Sequence, residues 1–174
     1  MHNDSLQRYI RNIEDVPAPG VTFRDITPLI GDPQGFNEAV GSIVSMSSGL
    51  KIDKVVGIEA RGFILAAPVA FHLGAGFVPV RKAGKLPWEV VREEYALEYG
   101  TDVLEAHRDA VGPGDSVVIV DDVLATGGTA KAAIKLIEGL GAHVAALLFL
   151  IELDALGGRG VLVGHTINSV MTYR

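Results

Sequence analysis

Apolar and polar positions along this chain switch between a helical and a strand period, and the switches predict the elements. In residues 5–13 the apolar side chains Leu6, Tyr9, Ile10 and Ile13 fall on one helical stripe. With Ser5 placed to cap it, the segment predicts a short amphipathic helix. Residues 16–20 (V-P-A-P-G) break regular structure, and residues 21–28 (V-T-F-R-D-I-T-P) predict an extended loop fenced by prolines. Asp32-Pro33 opens a second helix with Phe36, Val40, Ile43 and Val44 on one face, closed by Ser47-Ser48-Gly49. Residues 54–58 read as the first core strand, 63–73 as an apolar helix and 77–80 as another short strand. Farther on, Tyr95, Leu97 and Tyr99 alternate with Glu94, Ala96 and Glu98, so residues 93–107 predict a β-hairpin turning at Gly100-Thr101.

The most informative stretch is 116–129, S-V-V-I-V-D-D-V-L-A-T-G-G-T. Val117, Val118, Ile119 and Val120 form an unbroken apolar run, the pattern of a strand buried on both faces of a parallel sheet. The run is expected to end at Asp121-Asp122, because two carboxylates do not suit a buried strand. A Gly/Thr turn follows, and Ala130, Ala133, Ile134, Ile137 and Leu140 then predict a helix ended by Gly139 and Gly141. Residues 144–151 predict a further buried strand, 157–160 (G-G-R-G) a flexible loop, and 165–173 an edge strand. Strand-helix alternation from 54 to 151 gives an α/β fold with a parallel, doubly wound sheet. The 174 residues suit one domain, with no internal repeat and no linker.

Composition narrows the classes. Cysteine is absent, which excludes a disulfide framework and a thiolate metal site and fits a reducing cytoplasm. The first residues carry neither a basic nor an apolar region, so no signal peptide is expected. The longest apolar runs, 63–71 and 144–151, fall far short of the ~20 residues that span a bilayer. A net charge of −6 argues against general nucleic-acid binding and requires that any anionic ligand be held by a local cluster.

Such clusters exist. A Gly/Thr turn entering a helix presents free N–H groups to phosphate, whereas carboxylates just before it accept hydrogen bonds from hydroxyls. Together they fit a ligand with a phosphate at one end and a vicinal diol nearby, the chemistry of ribose 5-phosphate. Arg61, at the end of a buried strand and beside Gly62, is either an anion site or a surface arginine. Arg81, Lys82 and Lys85 place three cations in five residues, a second anion site or a solvated loop. Phe23 is either a core anchor or a stacking surface. Competing motifs fail on spacing: Pro79 and Leu86 stand where a Walker A loop needs glycine and Ser or Thr, and the five histidines are scattered.

The D-D-V-L-A-T-G-G-T stretch resembles the 5-phosphoribosyl-1-pyrophosphate (PRPP) signature of type I phosphoribosyltransferases. V-P-A-P-G-V-T-F-R-D-I-T-P (16–28), G-I-E-A-R-G-F (57–63), R-K-A-G-K-L-P (81–87) and Y-A-L-E-Y-G (95–100) narrow the likeness to the adenine phosphoribosyltransferase family over nearly the whole chain. Val123 departs from a frequent leucine, and 88–92 lie in a variable loop.

The resemblance implies a five-stranded parallel core, an N-terminal hood of about residues 1–35 and a mobile hairpin flap of about 81–107. It implies transfer of the phosphoribosyl group of PRPP to N9 of adenine, giving AMP and pyrophosphate, with Mg²⁺ carried by the pyrophosphate and not by direct protein ligands. Asp121 and Asp122 would hold the ribose hydroxyls, and Ala125, Thr126, Gly127, Gly128 and Thr129 the 5′-phosphate. Arg61, Arg81, Lys82 and Lys85 would meet the pyrophosphate, with Arg61 also catalytic. Thr22, Phe23 and Arg24 would receive adenine, and Glu98 would exchange a proton with the purine. A cytoplasmic homodimer that contacts neither nucleic acid nor membrane completes the expectation. Hypoxanthine, guanine, xanthine or orotate as acceptor, or a non-catalytic PRPP-sensing regulator, are the alternatives.

Overall fold

The computed structural model describes residues 4–96 and 100–174. The chain opens with a 3-10 helix, Asp4–Tyr9, then strands β1 (Arg11–Ile13) and β2 (Phe23–Asp25), which pair antiparallel with Ile13 opposite Phe23. The amphipathic helix expected through residue 13 therefore stops at Tyr9. Leu6 and Ile10 are buried as the stripe predicts, but 11–13 are drawn into strand pairing by the segment that was read as a loop. Helix α1 (Thr27–Gly31) follows. Helix α2 (Pro33–Met46) starts where Asp32 caps it, its carboxylate accepting from the Gly35 N–H at 2.7 Å.

The central sheet is built from β3 (Lys54–Ile58), β4 (Gly76–Lys82), the hairpin β5 (Val90–Ala96) and β6 (Thr101–His107), β7 (Ser116–Leu124), β8 (His143–Leu153) and β9 (Ile167–Tyr173). Helix α3 (Arg61–Leu73) joins β3 to β4, α4 (Gly128–Gly139) joins β7 to β8, and the short α5 (Gly158–Val161) precedes β9. The order is β5-β6-β4-β3-β7-β8-β9 in one seven-stranded sheet. Its five strands from β4 to β9 run parallel, as expected, and β6 adds antiparallel on the β4 edge at Arg81↔Glu105 and Lys82↔Leu104.

β7 shows why an unbroken apolar run marks a central strand. Val117 and Ile119 pack with Ile134 and Ile137 of α4 on one face, while Val118 and Val120 pack with Val40, Ile43, Leu65 and Val69 of α2 and α3 on the other. Each such side chain contributes ~1.5–3 kcal/mol by leaving water.

Two expectations are corrected here. β7 does not end at Asp121-Asp122 but stays paired with β8 through Val123↔Ile151 and Leu124↔Glu152. Asp122, only 5% exposed, is tolerated because Arg61 pairs with it. The G-R-G segment 158–160 is not a loose loop but the body of α5, held by a two-pronged ion pair between Arg159 and Glu152. Among the described residues no helix is long and apolar enough to cross a membrane.

Candidate active site

The carboxyl ends of β3 and β7 meet at the topological centre of the sheet, where open α/β folds place ligands. β7 delivers Asp121 and Asp122; β3 delivers Glu59 and the first turn of α3, which carries Arg61. The Glu59-Ala60 peptide bond in this turn is cis. Gly62 is required: a Cβ there would sit 2.6 Å from Asp121 Oδ1 and 3.2 Å from the Val120 carbonyl. The α3 turn can thus lie against the acidic pair, and Arg61 Nε donates to Asp122 Oδ2. The Arg61 guanidinium also lies 5.3 Å from the Phe23 ring centre, joining the acidic pair to β2.

Asp121 accepts the Asp122 N–H at 2.9 Å. Burial, and then the neighbouring Asp122 charge, raise its carboxyl well above the ordinary value of 3.8. The folded protein therefore holds this proton more tightly than the unfolded chain does. Stability falls as pH rises above that ordinary value toward the raised one, so Asp121 makes the fold less stable at neutral pH than in acid. Asp121→Asn is expected to raise the melting temperature at pH 7, with the gain vanishing near pH 4 and below. Melting curves of the two proteins across pH check it.

After β7 the backbone turns at Gly127, whose φ of +85° is a left-handed value that favours glycine. A side chain there would also meet the Gly158 carbonyl at 2.8 Å. No side chain caps α4, so its leading N–H groups are offered to a ligand. Across the site Arg81 Nε donates to Glu59 Oε2 at 2.8 Å, and Lys85 Nζ reaches Glu59 Oε1 at 2.6 Å. Burial pushes the Glu59 carboxyl up, but the hydrogen bonds from Lys85 and Arg81 outweigh it and hold the group below its usual value. Lys82 Nζ pairs with Asp102 Oδ2 at 2.9 Å, which raises the lysine and lowers the aspartate. Glu105, 1% exposed, shapes the loop between these cations by accepting from the Gly84 N–H at 2.9 Å and from Arg92 Nε at 2.7 Å.

On the opposite wall, β2 is paired only with β1, which leaves its other edge without a partner strand among the described residues. Arg24 donates to Asn12 Oδ1 at 2.5 Å and stacks 4.2 Å over the Tyr173 ring, pinning the strand from both sides. Thr22 turns its hydroxyl to Glu14 at 2.8 Å.

These walls enclose a cavity of about 490 Å³. Thr22, Phe23 and Arg24 line it on one side; Arg61, Lys82, Asp121, Asp122, Ala125 and Thr129 line the rest. A smaller recess of about 70 Å³, sharing Asp121, Ala125 and Thr129, adds Thr126 and Gly127. Residues 34–160 match the phosphoribosyl transferase domain family. The chain is 56% identical over 163 residues to an adenine phosphoribosyltransferase of Acidothermus cellulolyticus, covering 94% of this chain and 92% of that one. It belongs to the adenine phosphoribosyltransferase family. The crystal structure of adenine phosphoribosyltransferase from Thermoanaerobacter pseudethanolicus superposes with a TM-score of 0.95 at 49% identity, covering 98% of this chain and 99% of that one. The Saccharomyces cerevisiae adenine phosphoribosyltransferase, solved with an imino-altritol bisphosphate and adenine, gives 0.91 at 37% identity over 96% and 97% of the two chains.

In this adenine phosphoribosyltransferase family member, Arg81, Lys85 and Gly128 line neither cavity, and Arg81 and Lys85 reach the site through Glu59. Glu98 lies outside the described residues. Sequence reading missed Glu59, Asp102 and Tyr95 as site groups, and Val16, Pro17 and Val21 as the apolar wall beside Phe23. The Tyr95 hydroxyl donates to Asp102 Oδ2 at 3.4 Å, and burial raises its phenol. Glu59 was within reach, as the acidic neighbour of Arg61 in G-I-E-A-R-G-F; Asp102 and Tyr95 required the hairpin register, which sets them opposite each other.

Proposed function

We propose that this chain transfers the 5-phosphoribosyl group from PRPP to N9 of adenine, forming AMP and pyrophosphate with inversion at C1′. One observation carries the assignment of residues: the cavity and the recess that shares its Asp121, Ala125 and Thr129 together gather Phe23 on a strand edge without a partner strand among the described residues, an acidic pair, the Gly/Thr turn before α4, and the cations Arg61 and Lys82. A purine, a ribose diol, a 5′-phosphate and a pyrophosphate need those surfaces in that sequence.

The chain's residues then divide the work by charge. Breaking the C1′–O bond builds positive charge on the sugar and negative charge on the leaving group. Asp121 and Asp122 receive the 2′- and 3′-hydroxyls and set negative charge beside the cationic ribose. Arg61, Arg81, Lys82 and Lys85 receive the pyrophosphate, each leaving the carboxylate it rests on here. Ala125, Thr126, Gly127, Gly128 and Thr129 grip the 5′-phosphate, binding energy that is remote from the reacting bond and fixes C1′. Phe23 stacks on adenine between the backbone of Thr22 and Arg24, and Glu98 exchanges the purine proton. Magnesium is part of the substrate in this reading: it rides on the PRPP oxygens and spreads the charge of the leaving pyrophosphate.

Residues up to about 35 form the hood over the base. The flap is assigned to about 81–107, of which Leu104 and Ala106 are buried in the core. Closure keeps water from the cationic sugar. A cytoplasmic homodimer completes the reading, with Phe71 of α3, 83% exposed, offering an apolar surface.

The test is purified protein with PRPP, Mg²⁺ and each purine base in turn, followed by nucleotide detection. AMP formed from adenine alone supports the reading, and equal or faster use of another base overturns it.

A further inference from the structure

The 5′-phosphate loop has an unusual neighbour. Residues 125–127 pack against the backbone of Gly158: it lies so close to the Ala125 carbonyl that a Cβ would overlap it, and that Cβ would meet Leu124 Cδ1 at 2.9 Å. Seen from the other side, a Cβ on Gly127 would meet the Gly158 carbonyl at 2.8 Å and Val161 Cβ at 3.3 Å. The loop's shape is therefore set by where the first turn of α5 sits. That turn is four residues long, too short to hold its own position.

Arg159 holds it instead. Its Nε and a terminal nitrogen donate to the two oxygens of Glu152 at 2.5 and 2.7 Å, and its other terminal nitrogen donates to the Ile167 carbonyl of β9 at 3.0 Å. Glu152 is 3% exposed and receives Ser169 Oγ at 2.6 Å as well. It stands on β8 in register with Leu124, the last residue before the loop. The fork thus ties α5 to β8, which pairs with β7 at the loop's point of origin, and to β9 on the far side of β8.

We propose that Arg159, acting through Glu152, is a positioning residue for the 5′-phosphate: it fixes α5 against the backbone of 125–127 and so holds the phosphate-binding N–H groups converged. The idea rests on the assignment of that loop to the 5′-phosphate. A fork of fixed geometry suits the task, and a lysine, with one point charge, would hold α5 in fewer directions.

The experiment compares wild type with Arg159→Gln, Arg159→Lys, Glu152→Gln and the loop variant Thr126→Val/Thr129→Val. Dissociation constants for ribose 5-phosphate and for pyrophosphate are measured by calorimetry, together with KM for PRPP and adenine and the melting temperature. Arg159→Gln and Glu152→Gln should weaken ribose 5-phosphate about tenfold and raise KM for PRPP in step, with pyrophosphate binding and KM for adenine changed less than about twofold. Arg159→Lys, which keeps the charge and folds if the glutamine variant does not, should fall between. Unchanged ribose 5-phosphate affinity in the Arg159 and Glu152 variants overturns the proposal, as does equal weakening of ribose 5-phosphate and pyrophosphate, which marks a purely structural ion pair. If the loop variant also binds ribose 5-phosphate normally, the loop assignment has failed, and the proposal fails with it. If the loop variant alone is weakened, the assignment stands and only the role of Arg159 is lost.

Discussion

Hypoxanthine is expected to be a poorer substrate than adenine by ~30- to 10⁴-fold in kcat/KM. The reason is the edge of β2 that has no partner strand among the described residues. Adenine presents a donor at its 6-amino group and an acceptor at N1, and hypoxanthine presents the reverse at both positions. Side-chain amides can rotate to suit either base, but main-chain N–H and C=O groups cannot. The β1 pairing and the clamp of Asn12 and Tyr173 on Arg24 hold this strand in place. Reading by that edge would leave hypoxanthine with two buried polar mismatches at ~1–3 kcal/mol each. Thr22→Val should change selectivity little, because the Thr22 hydroxyl is turned to Glu14 and not into the base. Phe23→Ala should weaken adenine through lost stacking while keeping the preference. Comparable kcat/KM for the two bases in the wild type would defeat the assignment of β2 as the reader.

Glu98→Gln is expected to lower kcat by ~10²- to 10⁴-fold, the usual worth of a positioned general acid or base, with far smaller changes in substrate affinity. The residue itself lies outside the described part, but the strand leading to it does not. A Cβ on Gly128 would meet the Ala96 carbonyl at 3.4 Å and Tyr95 Cδ2 at 3.8 Å, so the described end of β5 lies against the start of α4. Single-turnover kinetics separate proton transfer from product release; a loss below about threefold would make Glu98 structural.

Much of this molecule could be read from its pattern, and the exceptions share a cause. Residues 54–58 and 117–120 are apolar enough that local composition settles them, and the described strands cover both. Residues 11–13 and 23–25 have no such signal: each is a strand only because the other is there, a pairing across ten residues that periodicity within either segment does not contain. The same holds at the site. Asp121, Asp122 and the Gly/Thr turn are contiguous and announce themselves. Continuation of the strand beneath them was hidden because it depends on Arg61, sixty-one positions earlier. Arg159 in a run of glycines looks like a surface charge until Glu152 is seen beside it.

Glu59 gives the site a character that its list of cations does not suggest. Arg81 and Lys85 both pair with it, so on the proposed assignment an incoming pyrophosphate would compete with an internal rival for them. On that assignment the rival would remain after the chemistry. When the bond to ribose had broken, the two cations could return to a carboxylate that lies less than 3 Å from each of them in this structure. The rival charge would then shorten the stay of the leaving group and free the enzyme for its next round, at the cost of some grip on the first encounter.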